Sequence, residues 1–189
     1  MRRVLVTGAS GNGKSTLAPA LAGRLGVPYT ELDRLHWGPG WAAPGGEEFR
    51  ARVGAAMAAS DGWVIDGGYR GALGDLVWER ADTVLWLDQP LRLIMGRLWR
   101  RHLRRVRTRE ELWNGNRETW RNAFWGWNTL FPWAARAHFR YRREYPALME
   151  RFNVVRLRSP QEVQAFLDGA AASGTPPATP APAGPARSA

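Results

Sequence analysis

A glycine-rich turn near the N-terminus constrains the fold of this 189-residue chain more than any other feature. Residues 8–15 read Gly-Ala-Ser-Gly-Asn-Gly-Lys-Ser, which is the pattern GxxxxGK followed by serine or threonine. The apolar run from Arg3 to Thr7 predicts a buried parallel strand, and leucines at a spacing of four predict a helix from Lys14 to Leu25. A strand, a glycine turn and a helix in this order predict an α/β fold.

This turn, called here the glycine loop, has the chemistry of a phosphate cradle. Glycines allow close approach of the backbone N–H groups to phosphate oxygens, and the helix start adds its positive dipole end. Lys14, the single lysine among 27 basic residues, suits the β- and γ-phosphates, and the Ser15 hydroxyl suits Mg²⁺. The residues predicted to bind the nucleotide, ATP, are Gly8, Ala9, Ser10, Gly11, Asn12, Gly13, Lys14, Ser15 and Thr16.

Four later segments have the apolar, β-branched character of strands, and helical patterns separate them. The strands are predicted over residues 29–32, 63–66, 83–87 and 152–157, and the helices over residues 47–59, 90–106 and 160–168. Strands that alternate with helices form a parallel sheet with helices on both faces. We therefore expect a three-layer α/β fold with a five-stranded parallel sheet, built by residues 1–168 as one domain.

Three aspartates lie at the carboxyl ends of predicted strands, namely Asp33, Asp66 and Asp88. These ends share one edge of a parallel sheet, so we expect the three side chains near the glycine loop. Asp66 is predicted to hold Mg²⁺ through water, because hard cations take oxygen ligands, with helix capping as the alternative. Asp88 precedes Gln89-Pro90 and is expected to cap the following helix.

The net charge of +10 comes from one segment, residues 92–158, where 17 arginines accompany five acidic residues. Such a segment attracts nucleic acid, anionic lipid heads or the phosphates of a small substrate. Arg97, Arg101 and Arg104 recur at helical spacing and share one helix face. We expect Arg97 and Arg101 to clamp the transferring phosphoryl group when a lid over residues 97–131 closes, with a solvated basic face as the alternative.

Large aromatic residues of the lid region recur at spacings of seven, four, three and four, which indicates a helical stripe in the core or at a dimer contact: Trp113, Trp120, Phe124, Trp127 and Phe131. Arg117 and Arg121 lie beside this stripe, and we expect one of them to point toward the phosphate cleft. Residues 140, 142 and 143, all arginines, are expected to be surface charge.

The absence of cysteine excludes a disulfide framework, thiolate metal ligands and cysteine nucleophiles. Every apolar run falls far short of the roughly 20 residues that span a bilayer. We expect no signal peptide, no membrane partner, a cytoplasmic location, and a monomer or homodimer. Residues 169–189 consist almost entirely of Ala, Pro, Gly, Ser and Thr and are expected to be disordered.

Over about residues 3–168, the glycine loop and two later motifs resemble the adenylate-kinase-like P-loop kinases. Residues 64–70, Val-Ile-Asp-Gly-Gly-Tyr-Arg, resemble the third-strand motif DGFPR, with Gly68-Tyr69 in place of Phe-Pro. The run Arg97-Leu98-Trp99-Arg100-Arg101 is similar to the RLxxR that opens the lid. The segments LDRLHW (residues 32–37) and NGNRE (residues 114–118) are similar to signatures of the FlaR-like subgroup, also labelled DNA topology modulation proteins.

The resemblance implies a P-loop NTPase fold like that of the nucleoside monophosphate kinases. It also implies that Asp33 orients or deprotonates an acceptor hydroxyl, as an aspartate after the second strand does in related kinases, with an ordinary salt bridge as the alternative. His36 follows closely enough to line the acceptor pocket or is a packed surface histidine. Arg70 offers a bidentate fork to an acceptor phosphate or carboxylate.

The function expected from these features is an ATP- and Mg²⁺-dependent phosphotransferase that acts on a nucleoside monophosphate or a small hydroxyl compound. The basic segment 92–158, with its interleaved tryptophans, supports two alternatives. One is a nucleotide-regulated nucleic-acid-binding protein, and the other is a polynucleotide 5′-hydroxyl kinase.

Overall fold

The computed structural model describes residues 1–120 and 129–172 and contains one parallel sheet. Its strands lie side by side in the order β2-β3-β1-β4-β5. They comprise β1 (Arg3–Thr7), β2 (Tyr29–Glu31), β3 (Trp63–Asp66), β4 (Thr83–Leu87) and β5 (Val154–Leu157). All four pairings are parallel, which confirms the predicted five-stranded sheet. Because β1 is the central strand, the loop that follows it emerges at the middle of the sheet edge.

The helices that the structure describes connect and cover the strands. In chain order they are α1 (Lys14–Leu25), α2 (Leu32–His36), α3 (Gly46–Ala58), α4 (Arg70–Leu73), α5 (Leu76–Arg80), α6 (Leu91–Thr108), α7 (Leu130–Met149) and α8 (Pro160–Ala172). Short 3-10 turns lie at Pro39–Trp41 and Trp113–Gly115. None of the helices in the described ranges is long and apolar enough to cross a membrane.

Side chains of β1 alternate between two hydrophobic clusters, one on each face of the sheet. Leu5 packs with Phe49 of α3 and with Tyr145 of α7, whereas Val4 and Val6 pack with leucines of α1 and with α8. Successive side chains of a β-strand point to opposite faces of the sheet. A sheet with two apolar faces must be covered by helices on both sides. The predicted three-layer arrangement is therefore observed.

The strand and helix boundaries differ from the sequence prediction where tertiary contacts decide them. Leu32, predicted to end β2, begins α2, because the β2–β3 ladder ends at the pair Glu31 and Asp66. Phe152, predicted to begin β5, instead packs its ring against Trp78 at 5.6 Å. The last helix continues to residue 172, four residues beyond its predicted end at 168. Residues 173–189 of the predicted disordered tail lie outside the described residues.

The predicted single helical stripe over residues 113–131 is wrong at its first member. Trp113 lies in a 3-10 turn, where the positive φ angles of Asn114 (55°) and Gly115 (80°) reverse the chain. Phe131 lies in α7 and packs against Leu98 of α6, in the core as expected. Phe124 and Trp127 lie outside the described residues.

Candidate active site

The glycine loop joins the carboxyl end of β1 to α1 and approaches its neighbours closely. Gly8 and Gly11 have φ angles of 145° and 86°, which side chains rarely permit. A Cβ on Gly8 would lie 2.6 Å from the Leu87 carbonyl oxygen, and a Cβ on Gly11 would lie 2.7 Å from that of Ile94. The Thr16 N–H donates to the Gly13 carbonyl at 3.1 Å. The N–H groups that begin a helix have no acceptor one turn earlier, so the start of α1 is suited to an anion.

Two polar side chains hold the glycine loop against the segment after β4. The buried Asn12 accepts a hydrogen bond through Oδ1 from the Gln89 backbone N–H at 3.2 Å. The Gln89 side chain in turn accepts one from Nη1 of Arg97 at 2.6 Å. A Cβ on Gly13 would lie 3.7 Å from the same Nη1. Arg97 of α6 is therefore held beside the glycine loop.

The Lys14 ammonium lies against the loop backbone and donates to the carbonyl oxygens of Gly8 at 3.0 Å and Ala9 at 3.4 Å. Ser15 and Thr16 are exposed in the first turn of α1. The predicted nucleotide-binding residues thus lie together at the start of α1, where they bring an ammonium and two accessible hydroxyls to one turn.

Asp66, at the carboxyl end of β3, is a buried carboxylate with 2% exposure. The Tyr29 hydroxyl donates to its Oδ2 at 3.0 Å. Burial raises the pKa of Asp66 from 3.8 to about 7, and the nearby Lys14 opposes this shift. Its Cα pairs in register with that of Glu31 on β2, so two carboxylates end adjacent strands.

These residues fit a Mg²⁺ ion bound mainly through water and phosphate. Within residues 1–120 and 129–172, no three His, Cys, Asp or Glu side chains are arranged to enclose a metal on their own. Mg²⁺ usually keeps several waters and takes one or two protein oxygens beside those of substrate phosphates. The exposed Ser15 hydroxyl and the Asp66 carboxylate are hard oxygen donors of that kind.

Asp33 lies in the first turn of α2, and its Oδ1 accepts a hydrogen bond from the Tyr69 hydroxyl. The His36 ring packs against those of Trp37, Phe49 and Tyr69 at centroid distances of 4.5 to 4.8 Å. Burial lowers the pKa of His36 below 6.5, with the Asp33 charge opposing it. Tyr69 was not among the residues predicted at the site, although it stands in the DGFPR-like motif at the position where the kinases have proline.

Arg101 of α6 is largely enclosed, and its buried Nε has no hydrogen-bond partner among the described residues. Burial lowers the pKa of its guanidinium, with Arg105 adding to the effect and with Glu118, Asp33 and Glu31 opposing it. Arg104, on the same predicted face, is exposed and pairs with an acidic side chain of the following loop. Arg97 and Arg101 are therefore the arginines of this face that approach the site.

Arg70 and Arg117, also predicted at the site, pair with carboxylates other than Asp33 and Asp66. Arg70 donates through Nε to Oδ1 of Asp75 at 2.6 Å, so its charge is compensated within the protein. Arg117 is more than half exposed and faces Glu111 at 3.8 Å, not the glycine loop. Arg121 lies outside the described residues.

The NGNRE segment, residues 114–118 of the predicted lid, lies against residues 37–41, which follow Asp33. Asn116 is buried, donates through Nδ2 to the Gly38 carbonyl at 2.8 Å, and accepts through Oδ1 from the Trp41 N–H at 2.8 Å. Trp113 donates from its indole to Oε2 of Glu31 at 2.8 Å. This loop is therefore held against the end of β2 and against the segment that follows Asp33.

Asp88 does not cap α6, and Arg142 is not a free surface charge. The N-cap position belongs to Pro90, and the buried Asp88 carboxylate accepts from Nε of Arg142 at 2.7 Å and Nε of Arg156 at 3.0 Å. Arg156 also lies over the Trp86 ring at 4.3 Å. Part of the positive charge of residues 92–158 is thus balanced inside the protein.

No protein-family model matches the chain. A shikimate kinase from Salinibacter ruber is 34% identical over 109 residues, which are 51% of this chain and 53% of that protein. The chain therefore spans about half the length of the curated relative that it matches.

Solved structures of kinases share the architecture over most of the chain. A shikimate kinase from Bacteroides thetaiotaomicron aligns with a TM-score of 0.51 at 19% identity, covering 89% of this chain and 95% of that one. A gluconokinase from Sinorhizobium meliloti 1021 aligns with a TM-score of 0.51 at 21% identity, covering 91% and 94% respectively. The chain has a P-loop kinase fold. At these identities the likeness establishes the fold alone, and it confirms the fold class expected from the glycine loop and the strand order.

Proposed function

We propose that this chain is an ATP- and Mg²⁺-dependent kinase that phosphorylates a hydroxyl group of a small acceptor. The observation that carries the proposal is the place of Asp33, which the Tyr69 hydroxyl holds at the same sheet edge as the glycine loop. An oriented carboxylate beside a triphosphate cradle is the arrangement that phosphoryl transfer to a hydroxyl requires.

In the proposed reaction the acceptor oxygen bonds to the γ-phosphorus, the bond from that phosphorus to the bridging oxygen breaks, and ADP leaves. The hydroxyl proton passes to Asp33, whose Oδ2 is not the oxygen held by Tyr69. Lys14 and the loop amides bind the β- and γ-phosphates. Arg97 and Arg101 balance the charge of the transferring group, a role that suits the unpartnered Nε of Arg101.

Mg²⁺, when bound, neutralises the negative charge of the phosphate oxygens. The residues that would hold it are Ser15, directly, and Asp66, through water. Tyr29 keeps one oxygen of the Asp66 carboxylate fixed for this purpose.

Aromatic residues near Asp33 and the kinases that share the fold support the acceptor class that we propose. His36 and the indoles of Trp37, Trp41 and Trp113 wall the acceptor side. The similar proteins are a shikimate kinase and a gluconokinase. From them we take for this chain only the general reaction, which is phosphoryl transfer to a small hydroxyl compound. A nucleoside monophosphate, which the resemblance to adenylate-kinase-like enzymes implies, is a separate alternative, because it accepts the phosphoryl group on a phosphate oxygen and gives no hydroxyl proton to Asp33.

Membership of the FlaR-like subgroup is also part of the proposal. Its two signature segments meet in space, since the Asn114 side chain donates to the Trp37 carbonyl and Asn116 to that of Gly38. Through this contact both signature segments, residues 32–37 and 114–118, would shape the acceptor pocket. A cytoplasmic location and a monomer or homodimer remain expectations.

The proposal is tested by coupled ADP release with Mg²⁺ATP over nucleoside monophosphates, sugars and hydroxy acids. We expect at least one acceptor to stimulate turnover, Lys14→Ala to abolish it, and Asp33→Asn to lower kcat about 100-fold or more, because a general base contributes that much. Asp61→Asn is the matched control, since Asp61 is exposed in the turn before β3 at the opposite sheet edge. No stimulation by any acceptor, or full activity of Asp33→Asn, would contradict the proposal.

The same assay with 5′-hydroxyl oligonucleotides tests the polynucleotide kinase alternative. Labelled oligonucleotide ends, with no turnover of small acceptors, would replace our proposal by that alternative. Gel shifts at two salt concentrations test the nucleic-acid-binding alternative, because contacts to backbone phosphates weaken steeply as salt rises.

A further inference from the structure

Two buried tyrosines of α7, one helical turn apart, donate or share hydrogen bonds with the sheet edge that carries the candidate site. The rings of Tyr141 and Tyr145 stack at a centroid distance of 4.7 Å. The Tyr145 hydroxyl lies 2.8 Å from Oγ1 of Thr7, the last residue of β1. The Tyr141 hydroxyl donates to the Gly68 carbonyl at 3.2 Å. Helix α7 thus contacts the segment after β3 through a hydroxyl that the proposed reaction does not use.

The contact between Tyr141 and Gly68 is close enough to exclude a side chain at residue 68. A Cβ on Gly68 would overlap the Tyr141 hydroxyl oxygen, and its three nearest atoms all belong to Tyr141. Gly68 has no positive φ angle, so its backbone conformation alone would permit a side chain. The Tyr141 hydroxyl is therefore what requires glycine here, where the DGFPR motif has phenylalanine.

Tyr141 is held so that its hydroxyl reaches one place. Its side chain is 3% exposed, and the Arg140 guanidinium lies 5.3 Å from its ring centroid, while the Tyr145 ring stacks on it. Burial raises the pKa of Tyr141, with the Arg140 charge opposing the shift, so the hydroxyl keeps its proton and remains a donor. A buried donor needs an acceptor, and the Gly68 carbonyl provides it.

The Gly68 carbonyl belongs to the planar peptide group that leads into Tyr69. A hydrogen bond to that oxygen therefore fixes the plane from which the Tyr69 residue starts. The Tyr69 carbonyl accepts in turn from the Leu73 N–H at 2.9 Å, and the Tyr69 hydroxyl donates to Asp33. Contacts thus run from Tyr141 through Gly68 and Tyr69 to the carboxylate of the proposed base.

The segment provides little rigidity of its own. Gly68 is the residue type with the most backbone freedom, and Tyr69 lacks the ring through which the proline of the DGFPR motif fixes φ. Both local constraints of that motif are therefore missing, and the hydrogen bond from α7 supplies a constraint in their place.

We propose that Tyr141 is a positioning residue for Asp33, acting through the peptide group between Gly68 and Tyr69. The inference rests on the proposed kinase function, in which Asp33 takes the proton of the acceptor hydroxyl. Tyr141 itself touches neither the acceptor nor the phosphates.

Amide hydrogen exchange measured by NMR tests this positioning without turnover. The Trp37 N–H donates to the Asp33 carbonyl at 3.0 Å and reports on the turn that carries Asp33. Tyr141→Phe is expected to speed exchange at Trp37 about threefold to tenfold, as loss of one neutral hydrogen bond does, while exchange at Val64 inside β3 stays unchanged. In a Tyr69→Phe background, the same change is expected to have no further effect at Trp37.

Tyr145→Phe is the matched control, because its equally buried hydroxyl contacts Thr7 and not Gly68. Exchange at Trp37 is expected to be the same in this variant as in the wild type. Unchanged exchange at Trp37 in Tyr141→Phe, or equal acceleration in Tyr145→Phe, would overturn the proposal. Near-UV circular dichroism establishes that each variant is folded.

A steric exchange between residues 68 and 141 provides a second test. Gly68→Ala is expected to speed exchange at Trp37 more than Tyr141→Phe does, because its Cβ displaces the Tyr141 hydroxyl or the Gly68–Tyr69 segment. The double variant is expected to return to the rate of Tyr141→Phe, since removal of the hydroxyl makes room for the Cβ. Gly71→Ala is the control, with no atom within 4 Å of its Cβ position. Equal rates in Gly68→Ala and in the double variant would contradict the assignment.

With an acceptor that stimulates turnover, steady-state kinetics gives a third readout. Tyr141→Phe is expected to lower kcat about threefold to tenfold with the KM for ATP within about twofold, and to lower it no further in a Tyr69→Phe background. Independent, multiplying losses would show that Tyr141 does not act through Tyr69. If no acceptor stimulates turnover, the kinase proposal fails, whereas the exchange rates still report whether Tyr141 positions Asp33.

Discussion

The Tyr69 hydroxyl donates a hydrogen bond to Oδ1 of Asp33 and so joins the loop after β3 to the first turn of α2. The Tyr69 ring is held in turn by the rings of His36 and Phe49, at centroid distances of 4.5 and 5.2 Å. The orientation of the proposed base therefore depends on a residue from a different sheet connection.

Replacing Tyr69 with phenylalanine keeps these ring contacts and removes only the donor. We expect kcat to fall about tenfold to a hundredfold, as loss of a hydrogen bond to a charged group implies, with the acceptor KM changed far less. Steady-state kinetics with a stimulating acceptor measures both values. Tyr29→Phe is the matched control, because it loses its bond to Asp66 and is expected to raise the Mg²⁺ requirement instead. Wild-type kcat in Tyr69→Phe would show that Asp33 needs no such support.

The buried Asp66 gives the free protein a characteristic dependence of stability on pH. Its pKa of about 7 lies above the ordinary 3.8, so the folded state binds a proton that the unfolded state releases between these values. The free energy of unfolding that Asp66 contributes is therefore expected to fall as pH rises from about 4 to about 7, by about 4 kcal/mol in total. Urea unfolding of the nucleotide-free protein at pH 5, 6, 7 and 8 measures it.

Asp66→Asn stays neutral throughout this range. As pH increases, the free energy of unfolding of the wild type is expected to fall relative to that of Asp66→Asn. A difference that does not change with pH would refute the raised pKa.

The ion pairs of Asp88 with Arg142 and Arg156 are expected to stabilise the packing of α7 and β5 on β4. Asp88→Asn removes the buried carboxylate and is expected to lower the free energy of unfolding by about 2 to 3 kcal/mol, as loss of hydrogen bonds to a charged group does, because both arginines remain in contact with solvent. Arg142→Gln is expected to cost about 1 kcal/mol or less, because its side chain is 43% exposed. Arg156→Gln is expected to cost more, since it also loses its contact with Trp86. Urea denaturation at pH 7 compares the variants.

The exposed pair of Arg24 and Asp168, 3.4 Å apart, is the control for these variants. Asp168→Asn is expected to change stability by no more than about 0.5 kcal/mol. If Asp88→Asn is equally mild, the buried ion pairs have no structural role.

The close approach of Gly11 to the Ile94 carbonyl predicts that this glycine cannot be replaced without moving the loop. Gly11→Ala adds a Cβ at a strained φ of 86°, and we expect ATP affinity to fall about tenfold or more. Gly23→Ala is the control, because Gly23 lies in α1 with no atom within 4 Å of its Cβ position. That change is expected to raise stability by up to about 1 kcal/mol. Calorimetric titration with Mg²⁺ATP reads the affinities, and undiminished binding by Gly11→Ala would refute the prediction.

Local sequence patterns predicted the elements whose residues are buried or turn sharply. The bounds of β1, β3, β4 and α1 agree with the prediction, because apolar runs and leucine spacing directly reflect burial on the sheet. The prediction was poorest in the lid, where Asn114 and Gly115 reverse the chain so that Asn116 reaches the Gly38 carbonyl. Such long-range bonds leave no periodic signal.

The sequence by itself determined the glycine loop and its place between β1 and α1, since that motif needs only the strand and the helix around it. Tertiary structure alone decided which charges are available for chemistry. Asp75 compensates the charge of Arg70, and Asp88 pairs with Arg142, which the sequence had predicted to be surface charge. The physical reason is that the strength of a charge depends on its nearest partner and its burial, and chain folding brings partners together from positions far apart in sequence.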